Sequence, residues 1–296
     1  MSVQLTGLDG RNPMAYFAAI GALLAADRVN PDSRIKLSWS AGPIPRPALH
    51  GIGSVDQLVS SIDSDRLAWA GAVALSFEGL DEVKLDASTQ RRYLRACRAA
   101  ADGGRSAGLA AALVAEGAFA GNGDGKPTDL HFSAGQQRFL SIARDLCANV
   151  MPSDFVECLV GPWSYSRPMK TFGWDVADDR VYALSVSNPA KETKLTVPGA
   201  DWLALMGLSA FPVIAVGSSA SPPGSGGTWK RGSFTWGVWS DALDAASLKA
   251  LVVAGWTEDV RRSRVGLFRE FRCAIRRSEQ GGYGSFGPAT VRWERD

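Results

Sequence analysis

A chain of 296 residues, 46% hydrophobic and 21% charged, can bury a substantial core; this excludes a disordered or fibrous chain and leaves one large domain or two moderate ones. The formal net charge of +2 decides nothing about a polyanionic partner, so the distribution of charge has to be read instead. From Arg261 onward nine arginines stand against Glu270, Glu279, Glu294 and Asp296, a surplus of +5, and the rest of the chain sums to −3. The C-terminal segment is therefore a candidate electrostatic footprint. Ten tryptophans is a high count; most belong in a core, and some excess is expected where a protein presents stacking platforms or protein interfaces. Cys97, Cys147, Cys158 and Cys273 form no CxxC pair. The apolar run Ala15 to Ala26 lacks a basic start and, at about a dozen residues, is too short to span a bilayer. The expectation is a cytoplasmic protein with reduced thiols and no membrane partner.

In chain order, Val3 and Leu5 alternate with Gln4 and Thr6 in a short strand over Ser2 to Leu8. Asn12 and Pro13 are a capping residue and a first-turn proline, so a helix runs from there to about Arg28. Its body, AYFAAIGALLAA, is apolar on all sides and belongs at the structural centre. Ile35, Leu37 and Trp39 alternate as a second strand, Gly42 to Pro47 is a proline-rich loop, and a helix spans Ser54 to Asp63. Ser88 caps a helix through Ala101 on which Arg91, Arg95 and Arg98 share one face at i, i+4 and i+7. That stripe suits a phosphate backbone, and a plain solvated face accounts for it as well. An alanine-rich helix follows over Arg105 to Gly117. GNGDGK lacks the spacing of a phosphate loop and reads as a turn. Ser133 opens a further helix with Phe139, Ile142, Ala143 and Leu146 as its apolar stripe, and a short helix runs from Pro152 to Val160.

Gly161 to Lys191 is irregular, because Pro162, Pro168 and Pro189 remove donors and disfavour helix. It interleaves Trp163, Tyr165, Phe172, Trp174 and Tyr182 with Arg167, Lys170, Arg180 and Lys191, and enters a strand over Arg180 to Ser187. Flat aromatics among cations fit a groove that stacks bases and neutralises phosphates; a core loop with buried tryptophans explains the same residues. Pro198 to Leu208 is helical and Val213 to Val216 an apolar strand. SSASPPGSGG, Ser218 to Gly227, reads as a mobile hairpin arm, leading through Trp229, Lys230 and Arg231 into a strand with Phe234, Trp236 and Val238. After a helix over Asp244 to Ala254, Arg264 to Arg277 alternates most clearly. Val265, Leu267, Phe271, Cys273 and Ile275 lie on one side, Arg264, Glu270, Arg272 and Arg276 on an exposed other side. Gly281 to Gly284 turns the chain into a last strand, Thr290 to Trp293.

His50 and His131 stand in no metal spacing with Cys, Asp or Glu, and there is no GxSxG elbow and no recognisable cysteine nucleophile. Asp175, Asp178 and Asp179 could bind magnesium for phosphodiester cleavage, and capping in a turn explains them too. No catalytic residue, metal or cofactor is assigned.

The run FGWDVADDRVYAL from Phe172 to Leu184, Asn188-Pro189-Ala190-Lys191, the segment Gly199 to Leu205 leading to Phe211-Pro212, and LTGLDGRNPMAYFAAIGALL from Leu5 to Leu24 form a familiar combination. It resembles CRISPR-associated effector-complex (Cascade) proteins of the type I-U (I-G) kind, as a large-subunit-like or accessory protein. The resemblance implies a non-catalytic part in RNA-guided DNA recognition, with guide RNA or target DNA and other complex subunits as partners. The fold expected is α+β: a buried N-terminal helix on a small sheet, a helical middle and a β-rich C-terminal part. The division is 1–160 and 161–296, or one continuous domain. The candidate nucleic-acid contacts are Arg91, Arg95, Arg98, Arg167, Lys170, Trp174, Arg180, Lys230, Arg231, Arg264, Arg272 and Arg276. A protein-binding adaptor with a Trp-rich interface and a metal-dependent nuclease are the alternatives.

Overall fold

After strand β1 (Ser2–Gln4), Asn12 caps helix α1 (Pro13–Val29): its side-chain oxygen accepts from the Met14 amide at 3.0 Å, and Pro13 takes the first turn, where its missing donor costs nothing. Every residue from Pro13 to Ala26 is buried, as a helix with no polar face requires. Strands β2 (Lys36–Trp39) and β3 (Pro47–His50) precede helices α2 (Val55–Trp69), α3 (Val73–Ser76), α4 (Ala87–Ala99) and α5 (Arg105–Leu113). Strands β4 (Val114–Phe119) and β5 (Gly125–Pro127) close a hairpin over the GNGD turn. Helices α6 (Phe139–Asn149) and α7 (Pro152–Val160), the short strands β6 (Arg167–Pro168) and β7 (Leu195–Thr196), and helix α8 (Pro198–Leu208) follow. The chain continues through β8 (Ile214–Val216), β9 (Ser219–Ser221), β10 (Ser225–Thr228), β11 (Arg231–Trp239) and β12 (Leu243–Asp244). It ends with α9 (Ala245–Ala254), β13 (Leu267–Arg277), β14 (Gly284–Phe286) and β15 (Thr290–Glu294). The computed structural model describes residues 1–133, 137–178, 195–256, 265–277 and 283–295, and the class is α+β.

Helices α1 and α8 form the centre. A Cβ at Gly21 would stand 1.8 Å from the Leu203 carbonyl oxygen, and one at Gly207 only 1.9 Å from that of Phe17. The two backbones therefore touch at a pair of glycines, each seated on the other helix. α8 is buried along its whole length, so these helices have no face left for water.

Two antiparallel sheets flank this pair. One has the order β1-β3-β2-β12; the other runs β10-β11-β13-β14, with β15 also paired to β13. Strand β12 joins Leu243 to Leu37, so residues from the second half complete a sheet begun by the first. The indole N–H of Trp239 donates to the Leu37 carbonyl at 3.1 Å and that of Trp236 to Gly10 at 2.8 Å. The main apolar core draws on residues from Val3 to Phe286, and a small second cluster joins Ala115, Ala118, Val213 and Ala220. Within the main core Phe17 meets Phe211 edge-on at 5.1 Å and Phe234 at 5.2 Å.

Several local expectations change. The helix expected to reach Gly117 stops at Leu113, where the chain turns extended as β4. Asp86, not Ser88, caps α4, accepting from the Ser88 and Thr89 amides at 2.9 and 3.1 Å. The helix expected from Ser133 begins at Phe139. Ser218 to Gly227 is not a free arm: most of it is β9 and β10, the latter laddered to β11. Pro47 opens β3 inside the expected loop, at a strand's first residue, where a proline is tolerated. The strand expected over Arg180 to Ser187 lies outside the described residues. Among the described residues no helix is long and apolar enough to cross a membrane.

Candidate nucleic-acid interface

The alternation in β11 and β13 gives the larger sheet two unlike faces. Phe234, Trp236, Phe271, Cys273 and Ile275 are buried on the inner one. Register places Thr235 opposite Arg272, Ser233 opposite Ala274, Ser285 opposite Arg276 and Thr290 opposite Arg272 on the outer face. Alternation adds Arg231, and Arg292 on β15. Arg231, Arg272, Arg276 and Arg292 are exposed, and between them the side chains are small: Ser, Thr and Ala. Arg272 lies across the sheet, its guanidinium donating to the Ser233 hydroxyl at 2.9 Å. Arg276 is four residue steps along the strand from Arg272, roughly 13 Å at about 3.3 Å per residue. The result is a sheet face of small side chains carrying exposed arginines, open to close approach by a sugar–phosphate chain.

Glu270 departs from the exposed charged row expected of it. It is fully buried although β13 keeps an unbroken ladder with β11 through this point; the extra residue is on β15, where Val291 stands opposite Phe271 and Trp293 opposite Glu270. Arg292 reaches within 4.0 Å of its carboxylate from the exposed side. Arg269 is held internally, paired to Glu294 and donating to the Gly42 carbonyl at 2.8 Å.

The turn joining β10 to β11 carries exposed Trp229, Lys230 and Arg231 at one end of this sheet. Arg277, at the end of β13, holds its guanidinium 3.5 Å from the centre of the Trp229 ring. It donates to the Asp129 and His131 carbonyls at 2.6 and 3.1 Å, and burial lowers its pKa to about 10, with Asp129 opposing the shift. Trp229 and Arg277 are not among the contacts that the sequence pattern suggests. The signal available was a tryptophan beside two cations in a glycine-rich turn.

The other expected contacts do not gather here. Arg91, Arg95 and Arg98 are exposed on α4, which packs against α3, α5 and β4 rather than in this sheet. Arg167 is a clamp: it meets the Asp154 carboxylate at 2.7 Å and the Asn149 carbonyl at 3.2 Å, fastening β6 to the start of α7. Lys170 is exposed nearby. Trp174 is fully buried, stacked on Phe172 at 4.6 Å and donating to the Leu130 carbonyl at 2.9 Å, so it offers no ring to a base. Its place is set by an aromatic neighbour and a backbone acceptor, neither visible in its local charge pattern. Arg180 and Arg264 lie outside the described residues.

Asp175, proposed as a metal carboxylate, is buried and committed to capping. It accepts from Asn12 and Tyr165 at 2.8 Å each and from the Ala177 amide at 3.0 Å. Among the described residues no group of three or more His, Cys, Asp or Glu side chains is placed to hold a metal ion. The tryptophans also fail to make a common interface: Trp39, Trp69, Trp174, Trp202, Trp236, Trp239 and Trp256 are buried, and only Trp229 is exposed. No family model matches the chain, and neither does any curated protein.

Proposed function

We propose that the chain is a non-catalytic, nucleic-acid-binding subunit of a CRISPR RNA-guided DNA surveillance complex, working in the cytoplasm beside other subunits of that complex. It needs no cofactor. Its outer sheet face grips the backbone of guide RNA or target DNA, with Arg272, Arg276 and Arg292 on the strands and Lys230 and Arg231 at the turn.

The observation that carries this reading is the contrast between the two faces of one sheet. The inner face is packed with aromatic rings, and the outer one bears arginines among small side chains. Guanidinium groups recognise phosphate oxygens with paired donors, and small neighbours let the strand lie close. Backbone gripping without base reading suits an assembly in which guide pairing supplies the sequence information. The assembly itself is inferred from the resemblance at Leu5 to Leu24 and Phe172 to Pro212.

Purifying the tagged chain from its native host, sequencing the RNA that accompanies it and identifying bound proteins tests the reading. A discrete guide RNA with several partner subunits is the expected recovery. A chain recovered alone and free of nucleic acid would contradict it.

A further inference from the structure

Beside the basic turn lies a cavity of about 550 Å³, within the size range of small-ligand sites. Three separate hairpins wall it: the β4–β5 hairpin with Lys126, the β8–β9 hairpin with Ser219, and the β10–β11 turn with Trp229. Lys84, just before α4, and the acidic residues Asp124 and Asp129 also line it.

Trp229 is the outlier of its kind. It is 52% exposed, whereas every other tryptophan is buried or half-buried. An exposed indole is ordinarily mobile, but Arg277 at 3.5 Å covers one side of the ring and is itself anchored to two backbone carbonyls and against Phe132. The ring is held as a platform, and its remaining surface borders the cavity.

The polar groups around it are of two kinds. Lys84 and Lys126 offer ammonium groups to an anion, Lys126 being steadied by the Ser218 hydroxyl at 2.9 Å. Asp129, fixed by the Ser221 hydroxyl at 2.7 Å, and Asp124, fixed by Asn122 at 2.8 Å, offer acceptors. An acidic peptide would satisfy the lysines but meet two carboxylates of its own sign. A nucleotide satisfies all of them: its flat base stacks, its amino or ring N–H groups donate to carboxylate, and its phosphate takes the lysines.

We propose that this cavity binds one nucleotide unit, the base stacked on Trp229, the phosphate held by Lys84 and Lys126, and the base edge read by Asp129. The chemistry is the same for a free nucleotide and for one residue of a strand. The site does not depend on the outer sheet face, so it stands or falls separately from the function proposed above.

The test is calorimetric titration of the intact chain with the four nucleoside 5′-monophosphates and, in parallel, with a single-stranded ten-nucleotide DNA. The wild type is compared with Trp229→Ala, Trp229→Phe and the double variants Lys84→Ala/Lys126→Ala and Arg272→Ala/Arg276→Ala. Trp229→Ala is expected to weaken binding roughly ten- to a hundredfold, with partial recovery in Trp229→Phe, and the lysine pair to weaken it while leaving the fold intact. Binding of monophosphates with this pattern identifies a free-nucleotide site. The pattern seen only with the oligonucleotide identifies a strand residue. Failure of both probes to bind, or binding indifferent to Trp229→Ala and to the lysine pair, overturns the proposal. Oligonucleotide binding that depends on Arg272 and Arg276 alone overturns this site and leaves the sheet reading standing. Trp229-dependent monophosphate binding without oligonucleotide binding does the reverse.

Discussion

His131 is buried, stacked on Phe139 at 5.3 Å, with its Nε2 2.8 Å from a Glu82 carboxylate oxygen. Burial pushes its pKa down, against the pull of Glu82. Burial raises that of Glu82, but the hydrogen bonds from His131 and the Val83 amide outweigh it and leave the carboxyl below its usual range. The pair is a neutral imidazole donating to a carboxylate. On acidification the unfolded chain takes up protons that the folded chain refuses, so both groups make stability fall as pH falls. The imidazole contribution is complete above about pH 6.5, the ordinary value for histidine, and is lost below it. Denaturant midpoints measured between pH 7 and pH 5 should decline in the wild type and decline less in His131→Gln. An equal decline in both would show that His131 does not carry the effect. The same scale explains why residue type misled at Trp174 and Arg167: each sits in a stretch with the composition of a stacking groove, yet Phe172 and Leu130 claim the indole, and Asp154 and Asn149 claim the guanidinium. Partners distant in sequence or hidden in the backbone leave no local mark.

Among the elements, α1 was legible almost to the residue, because its cap, its first-turn proline and its unbroken apolar body all agree. What could not be read was its partner. Gly21 looks like any glycine in an alanine-rich helix; that it seats the Leu203 carbonyl, while Gly207 seats that of Phe17, depends on the crossing with α8. Gly21→Ala should therefore destabilise the protein by about 3 kcal/mol or more, since the opposing atoms are backbone and cannot step aside as a side chain would. Helix propensity alone predicts a gain of roughly 0.5–1 kcal/mol, so thermal or denaturant unfolding separates the two outcomes by sign. The buried Asp65, which accepts from Arg28 and Arg105 at 2.6–3.0 Å and from Trp69 at 3.2 Å, joins α1, α2 and α5 in a comparable way. Removing that carboxylate, as in Asp65→Ala, would strand two half-enclosed cations at a cost of about 3–5 kcal/mol. In β13 the alternation was read correctly at Arg272 and Arg276; at Glu270 the period of two continues, but the residue is buried where the bulged strand β15 sets Trp293 opposite it, a neighbour that β13's own pattern cannot show.

At the scale of the whole molecule, positive charge is divided among the outer sheet face, the β10–β11 turn and the α4 stripe. The sheet was within reach of sequence reasoning because strands have a period; the meeting of Trp229 with Arg277 was not, since it needs two hairpins folded to one edge. The central claim is that the outer face of the five-stranded sheet holds a nucleic-acid backbone. Its most direct test is the anisotropy of labelled single-stranded and duplex oligonucleotides titrated with the wild-type chain and with Arg272→Ala/Arg276→Ala across a series of salt concentrations. The account predicts salt-sensitive binding by the wild type. In the double variant it predicts affinity at least about tenfold weaker and a slope of log affinity against log salt shallower by about 1.4 for the single strand and about 1.8 for the duplex, the loss of two phosphate contacts. Binding that is absent, indifferent to salt or unchanged in the double variant would contradict it.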